Sequence, residues 1–371
     1  MPDPRVSKLA DVLVNYSLEL QPGQQFQLRT NPLAEELALA VYQEAIKAGA
    51  HVFPLISLPG AEEIFFKHAS DEQLDFVSPV RKLFVETFDA QLVIGAEYNT
   101  RTLSGVDPER IAQSRRAGAP LSKIFNERSA RLELRWCYTE FPTYASAQEA
   151  DMSLSEYQDF VYGAGLLDLP DPVAAWIEEG QRQRKLINWL AGKDRVELKG
   201  PNVDLTLSIQ GRKFKEADGK YNFPDGEIFT GPVENSATGW IRFSYPAIFD
   251  GKEVSDIELW FEQGKAVKEQ AGKGLELLTS LLNLDAGARY LGELGMGTNY
   301  GIQRFTKNML FDEKIGGTIH LALGASYPET GGQNESGLHW DMLCDMSESE
   351  ILVDGELFYK NGRPVIDRPE Q

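Results

Sequence analysis

The sequence changes its character once, close to residue 192, and this change limits the folds that the chain can adopt. Before that point apolar segments alternate with amphipathic ones, and after it short segments with period-two alternation follow one another. Strands separated by helices are typical of a parallel, helix-covered sheet, whereas consecutive strands joined by tight turns pair antiparallel. The sequence therefore predicts the class α/β plus α+β: an N-terminal parallel α/β sandwich domain over 1–192, and a mostly antiparallel α+β domain over 193–371.

The first half contains apolar segments that are predicted to be strands, over residues 26–30, 51–57, 90–96 and 132–142. A helix is predicted between the first two, with Asn31 as its N-cap and with Leu37, Val41 and Ile46 on one stripe. Two longer helices are predicted over residues 110–130 and 172–192. No glycine-rich phosphate loop follows the first strands, so the alternation alone does not indicate a dinucleotide-binding domain.

The second half carries dipeptides that are typical of tight β-hairpins. They are Asp250-Gly251, Gln263-Gly264, Asp354-Gly355 and Asn361-Gly362. The Asp-Gly and Asn-Gly pairs favour two-residue turns because both central residues of such turns take positive φ. One helix is predicted among these strands, over residues 274–287. The second domain is therefore expected to be built from hairpins.

Composition excludes several classes of partner. The formal net charge of the 371-residue chain is −19, and this much negative charge repels nucleic acid and anionic lipid. No apolar run reaches the ~18 residues that span a bilayer, and the N-terminus shows no signal peptide, so a cytoplasmic location is expected. The two cysteines, Cys137 and Cys344, fit no zinc or disulfide spacing, which agrees with a reducing compartment. A metal site in this chain would need histidines and carboxylates.

Two of the four histidines lie within residues 318–346. On a strand, residues i and i+2 point to the same face, so His339 and Asp341 would offer one nitrogen and one oxygen ligand together. With His320 they suffice for one catalytic ion with an open position. Glu227 and Glu293 lie in glycine-flanked, otherwise apolar segments, where each is either a solvated loop acid or a buried charge that needs a partner or a metal.

Taken together, these segments resemble the aminopeptidase T / aminopeptidase S family of metallopeptidases. FPDGEIFTGP, YLGELG, IHLALGASYPE and GLHWDM match the family's motifs in order and approximate spacing, and LADVLVNYSLELQPGQQFQLRTNP extends the likeness over nearly the whole chain. The resemblance implies that two divalent ions (Zn, Co, Mn or Mg) are bound by Glu227, Glu293, His320, His339 and Asp341. MGTNYGIQ, after LGELG, departs from the family pattern and puts the substrate preference in doubt.

The family's activity is the removal of N-terminal amino acids from short peptides. For this chain the resemblance therefore implies a metalloexopeptidase in which a water activated by two ions attacks the peptide. Glu293 would bridge the ions, and Tyr327, which matches a family tyrosine, would donate its hydroxyl to the oxyanion. A free α-amine can ligate one ion, which would restrict cutting to the N-terminus. The resemblance also implies a homodimer with an enclosed active site.

Two other functions remain open at this stage. A mononuclear iron oxygenase could use His339, Asp341 and a third histidine, but no histidine follows Asp341 and the two glutamates would have no role. A non-catalytic scaffold on a decayed peptidase fold is the other alternative, although none of the five ligand types is missing. GELGMGTNYG could also suggest a phosphate loop, but its glycines fit a close backbone approach to the metal site better.

Overall fold

The computed structural model describes residues 3–249 and 251–367 and divides into two compact units. The first comprises residues 1–173 with 219–224, and the second comprises residues 174–218 with 225–371. The segment 219–224 thus returns to the first unit, and the division falls at the start of the helix predicted over 172–192. How the chain divides into independently folding domains stays a prediction.

The helices predicted over residues 110–130 and 172–192 are found within two residues of those bounds, whereas the one predicted over 274–287 ends at Leu282. Several further helices occur in segments for which none was predicted. In the described part of the chain the α-helices are α1 Pro4–Asp11, α2 Glu35–Lys47, α3 Ala61–His68, α4 Asp71–Leu74, α5 Pro79–Thr87, α6 Pro108–Ala130, α7 Tyr144–Glu149, α8 Leu154–Ala164, α9 Pro172–Leu190, α10 Leu275–Leu282 and α11 Met309–Asp312. A π-helix, Val12–Ser17, continues α1, and 3₁₀ turns occur at Pro32–Ala34, Pro328–Thr330 and Val365–Asp367. None of the helices in this part of the chain is long and apolar enough to cross a membrane.

The strands of the described residues are β1 Gln25–Thr30, β2 His51–Ile56, β3 Ala90–Gly95, β4 Arg135–Glu140, β5 Arg195–Gly200, β6 Val203–Ser208, β7 Lys215–Ala217, β8 Asn222–Phe223, β9 Glu227–Thr230, β10 Thr238–Arg242, β11 Ala247–Phe249, β12 Lys252–Val254, β13 Glu258–Glu262, β14 Lys265–Gln270, β15 Leu291–Gly297, β16 Thr318–Gly324, β17 His339–Asp345, β18 Glu350–Val353, β19 Glu356–Lys360 and β20 Arg363–Pro364. The four strands predicted in the first half, β1 to β4, begin and end within three residues of their predicted positions.

The first unit is built on a parallel sheet. Among the described residues its strand order is β2-β1-β3-β4-β8, and every neighbouring pair is parallel. Parallel pairing needs a crossover between strands, and α2 and α6 supply two of these crossovers. The predicted parallel α/β architecture is therefore confirmed.

Helix α2 shows how local sequence sets this packing, and it corrects one detail of the prediction. The Asn31 side chain accepts a hydrogen bond from the Leu33 backbone N–H, but it caps the short 3₁₀ turn that precedes α2 rather than α2 itself. The buried stripe of α2 is Leu37, Val41 and Ala45, which lie four residues apart. Ile46 is 50% exposed because it lies about 100° round the helix from Ala45.

The second unit contains antiparallel sheets. Its larger sheet has the order β14-β13-β10-β6-β5-β18-β19-β20, and a second sheet has the order β17-β16-β15-β9-β7. Three of the four dipeptides form the expected turns with positive φ at both residues, at Gln263-Gly264, Asp354-Gly355 and Asn361-Gly362. Asp250 of the fourth lies outside the described residues. The predicted α+β class of this half is confirmed.

A single apolar core in the second unit takes side chains from both larger sheets. It includes Leu198 of β5 and Leu259 of β13, and it includes Leu294 of β15, Leu321 of β16 and Met342 of β17. Because successive strand residues point to opposite faces, the neighbours of the last three residues must point away from this core. The second sheet therefore has one apolar face that packs in the core and a second face whose side chains point away from the core.

Candidate metal centre

The five candidate ligands lie on the β17-β16-β15-β9-β7 sheet, on the face away from the core. They are Glu227 on β9, Glu293 on β15, His320 on β16, and His339 and Asp341 on β17. Each alternates with core residues on its own strand, so the period-two pattern that buries the core also collects the ligands on the other face. The structure thus brings together all five residues that the sequence had singled out.

A β-bulge at Gly292 makes this alignment possible. Leu291 pairs with Leu323, but the next pair is Glu293 with Ala322, so β15 carries one extra residue. A bulge of this kind re-aims the side chains that follow it. If pairing continued regularly from Leu291, Glu293 would lie opposite Leu321, where Leu294 now lies, and would point into the core. With the bulge, Glu293 lies in register with Ala322, which itself pairs with Asp341 on β17.

Three of the residues form what we call the inner cluster: Glu227, Glu293 and His320. The Nε2 atom of His320 lies 3.1 Å from Glu227 Oε2 and 3.4 Å from Glu293 Oε1. All three residues are buried, with exposures of 6% for Glu227, 4% for Glu293 and 1% for His320. One ligand atom from each lies within 4.8 Å of the others, which is close enough to surround one ion.

The outer cluster consists of Glu293, His339 and Asp341, and it shares Glu293 with the inner cluster. The Nε2 atom of His339 lies 3.4 Å from Glu293 Oε2 and 3.4 Å from Asp341 Oδ2. His339 Nδ1 is 2.8 Å from the carbonyl oxygen of Ala325, which can only accept, so Nδ1 carries the proton. This hydrogen bond orients the ring and leaves Nε2 facing the two carboxylates, where it could bind a metal ion.

The donor set fits divalent metal ions. Mixed imidazole and carboxylate ligands suit Zn, Co and Mn, and carboxylates alone suit Mg. Buried polar atoms normally have hydrogen-bond partners, yet Glu227 Oε2, Asp341 Oδ1 and His320 Nδ1 have none. Glu227 Oε2 is near His320 Nε2 but without the angles of a hydrogen bond. Two unpaired carboxylate oxygens on the same face are what cation binding would satisfy.

Electrostatics within the clusters is dominated by burial opposed by ion pairing. Burial alone would lower the pKa of His339, but Asp341 and Glu293 outweigh it and raise that pKa to about 11. For His320, the same balance with Glu227 and Glu293 raises the pKa well above its usual value. His339 therefore holds a second proton at neutral pH when no cation is bound, and a metal ion at its Nε2 would have to displace that proton.

Tyr327 lies beside the outer cluster. Its ring centroid is 5.0 Å from that of His339 and 5.6 Å from that of Phe229. The residue is 41% exposed. Partial burial and the nearby charges of Glu293 and Asp341 raise its pKa above the usual value. The hydroxyl therefore keeps its proton at neutral pH and is available as a donor.

Two glycines of β15 lie on the same face as Glu293. A Cβ added to Gly295 would lie 1.9 Å from His320 Nε2, because Gly295 and His320 are cross-strand partners and the ring covers the glycine. A Cβ added to Gly297 would lie 2.1 Å from the carbonyl oxygen of Ile315. The glycines of GELGMG therefore make room for neighbouring groups, and the segment is a strand rather than a phosphate loop.

Lys314, which no sequence pattern singles out, is buried beside the inner cluster. Its Nζ atom lies 3.5 Å from Glu227 Oε1 and 3.9 Å from Asp225 Oδ1, and it also forms an ion pair with Glu313. In FDEKIGG, the stretch of mixed charge is typical of a solvated loop. No local pattern distinguishes a buried lysine from an exposed one there, because its burial depends on strands distant in the sequence.

Asn299, in the segment that departs from the family pattern, has a structural role. Its side-chain amide donates to the carbonyl oxygen of Asp225 at 2.9 Å, and its Oδ1 accepts from the Gly301 N–H at 3.0 Å. It is 6% exposed and ties the end of β15 to the turn before β9. Asn299 therefore stabilises a turn through its side-chain hydrogen bonds, as Asn residues commonly do.

Comparison with known proteins gives consistent results over the whole chain. The family described as thermophilic metalloprotease (M29) matches residues 3–364. Aminopeptidase 2 of Geobacillus stearothermophilus is 27% identical, over 94% of this chain and 93% of the relative. Aminopeptidase T of Thermus thermophilus is 27% identical, over 96% and 95%. Aminopeptidase PepS of Streptococcus thermophilus is 25% identical, over 94% of each.

The fold is also that of a solved structure. Wild-type AmpT from Thermus thermophilus matches with a TM-score of 0.85, covering 97% of this chain and 99% of that chain. At 24% sequence identity this likeness shows the fold alone. It confirms the predicted combination of a parallel α/β part with antiparallel sheets.

Proposed function

Because the chain belongs to the M29 family of thermophilic metalloproteases, we propose that it releases N-terminal amino acids from short peptides by means of two divalent ions. Membership of this family and similarity to relatives named aminopeptidases support a metal-dependent hydrolase of the aminopeptidase class, as the sequence resemblance implied. The proposal adds the number of ions, their ligands and the residues that act on the substrate. A homodimer in the cytoplasm is proposed on the resemblance and on the cysteine usage.

The observation that carries the two-ion proposal is the position of Glu293. Its Oε1 faces His320 and its Oε2 faces His339, each at 3.4 Å, so one carboxylate takes part in both clusters. A carboxylate shared in this way is the geometry expected of a bridging ligand. A single-ion site would need only one cluster and would leave the other buried acids without a role.

Bound between these ligands, two divalent ions would activate a water molecule and polarise the scissile carbonyl. The remaining steps belong to the chain. Glu227 and Asp341 anchor the two clusters from opposite sides of Glu293, and the Ala325 carbonyl oxygen holds the His339 ring in place. Tyr327, beside His339 and protonated at neutral pH, donates to the oxygen on which negative charge develops.

The test combines metal content with hydrolysis. The protein is stripped with chelator and titrated with Zn, Co, Mn or Mg, and release of amino acids is measured from short peptides with free and acetylated N-termini. We expect cleavage of the free peptides only, rising until about two ions are bound per chain. Saturation at one ion would point to a mononuclear enzyme, and the absence of binding would leave the scaffold alternative.

Replacement of Tyr327 by phenylalanine is expected to lower kcat by about 10²–10³-fold, the usual cost of removing one oxyanion donor. The ring contacts with His339 and Phe229 would remain, so KM and ion binding should change little. Steady-state kinetics with a matched metal titration measures both. An unchanged kcat would assign Tyr327 to packing alone, and a change confined to KM would assign it to substrate binding.

A further inference from the structure

A buried ammonium group lies next to the inner cluster, and the proposed mechanism does not use it. Among the described residues, Lys314 is the one lysine or arginine in the buried class, with 0% exposure. A buried charge is costly unless it is paired, and Lys314 faces the carboxylates of Asp225, Glu227 and Glu313. Of these, Glu227 is the one that also belongs to the inner cluster.

Hydrogen bonds hold the backbone on both sides of Lys314, so the position of its Cα is well defined. Its N–H donates to the Phe311 carbonyl at 3.1 Å, and its carbonyl accepts from the Asn299 N–H at 3.0 Å. Asn299 also forms a parallel bridge with Ile315. Gly297 permits this close approach, because a Cβ there would clash with the Ile315 carbonyl oxygen at 2.1 Å. Gly297, in the divergent MGTNYGIQ segment, therefore allows the backbone at Lys314 to lie close to the end of β15.

The two oxygens of Glu227 have different surroundings. Oε1 is 3.5 Å from Lys314 Nζ, whereas Oε2 faces His320 and has no hydrogen-bond partner. We infer that Lys314 is a positioning residue of the metal centre, which holds Oε1 of Glu227 so that Oε2 remains directed at the inner ion. This inference rests on the proposed function, because it assumes that the inner cluster binds an ion.

The sign of the expected effect separates positioning from simple electrostatics. A nearby positive charge repels a cation, so removing it would by itself tighten metal binding. If Lys314 acts by orienting Glu227, its removal must instead weaken binding of the inner ion. Groups that orient metal ligands typically change affinity by about 10–100-fold when mutated. The outer cluster does not include Glu227, so its ion serves as an internal reference.

The experiment uses three variants of the full chain. Lys314→Met removes the ammonium group but leaves the facing carboxylates without a counter-charge, which can prevent folding. Lys314→Met/Glu313→Gln removes the ion pair as a unit and is the second test. Glu313→Gln alone is the matched control, because it alters the same ion pair but leaves Lys314 beside Glu227. Each protein is titrated with Co²⁺ by calorimetry, and the Co²⁺ absorption spectrum reports the ligand set.

We expect the wild type and Glu313→Gln each to bind two ions, and we expect each ion to be bound with similar affinity in the two proteins. The double variant should lose at least about tenfold in affinity for one ion, keep the other, and show a changed spectrum. Equal or tighter binding of both ions by the double variant would overturn the positioning role and leave Lys314 as a counter-charge. A wild type that binds no ion, or only one, would instead refute the proposed two-ion site, independently of the variants.

Discussion

Replacing Glu293 with glutamine is expected to lower the rate of peptide hydrolysis by about a thousandfold or more. The two carboxylate oxygens of Glu293 face different histidines, and an amide has only one oxygen to offer. Loss of a bridging ligand should remove about 4 kcal/mol of transition-state stabilisation by the ions, and each 1.36 kcal/mol is a factor of ten. Both clusters should be affected, because Glu293 belongs to both.

The measurement is kcat/KM for a free-amine dipeptide together with the number of bound ions. We expect fewer than two ions per chain in Glu293→Gln at concentrations that saturate the wild type, with the far-ultraviolet circular dichroism unchanged. Glu262→Gln is the matched control, because Glu262 also lies on a strand of the second unit but is exposed. Full occupancy and wild-type activity in Glu293→Gln would rule out the shared-carboxylate site.

Most of the fold follows from patterns within a few residues. Four of the five strands of the parallel sheet, β1 to β4, and three hairpin turns were predictable because burial period and turn chemistry act locally. The exception within α2 is instructive. Ile46 is more apolar than Ala45, yet Ala45 is the buried residue, because the position on the helix decides which side chain meets the core.

The five candidate ligands were singled out because their segments resemble a known family, and only the pair His339 and Asp341 follows from strand periodicity. The sharing of Glu293 between two clusters was not derivable from the residues. It depends on the bulge at Gly292, which changes the face on which Glu293 lies. The position of this bulge could not be predicted from one glycine in the sequence. The burial of Lys314 could not be predicted for a related reason, because it arises from the packing of the 314–315 backbone against Gly297.

The same dependence on backbone proximity predicts that Gly295→Ala disrupts the inner cluster without removing a ligand. The added methyl group would lie 1.9 Å from Nε2 and 2.1 Å from Cε1 of His320. No real contact is that short, so the imidazole must turn away from Glu227 and Glu293. Overpacking of this kind costs about 1–3 kcal/mol of folding free energy. Because the displaced atom is a proposed metal ligand, we expect activity to fall at least about a hundredfold.

Thermal unfolding, metal titration and kinetics together separate these effects. Gly105→Ala is the matched control, since a Cβ at Gly105 meets nothing within 4 Å and its φ is not in the left-handed region. We expect Gly295→Ala to remain folded at 25 °C, to keep the outer ion and to lose the inner one, whereas Gly105→Ala behaves like the wild type. A Gly295→Ala protein with two ions and normal kinetics would mean that the His320 ring can shift without leaving the ion, and the ring would then be less constrained than the 1% exposure of His320 implies.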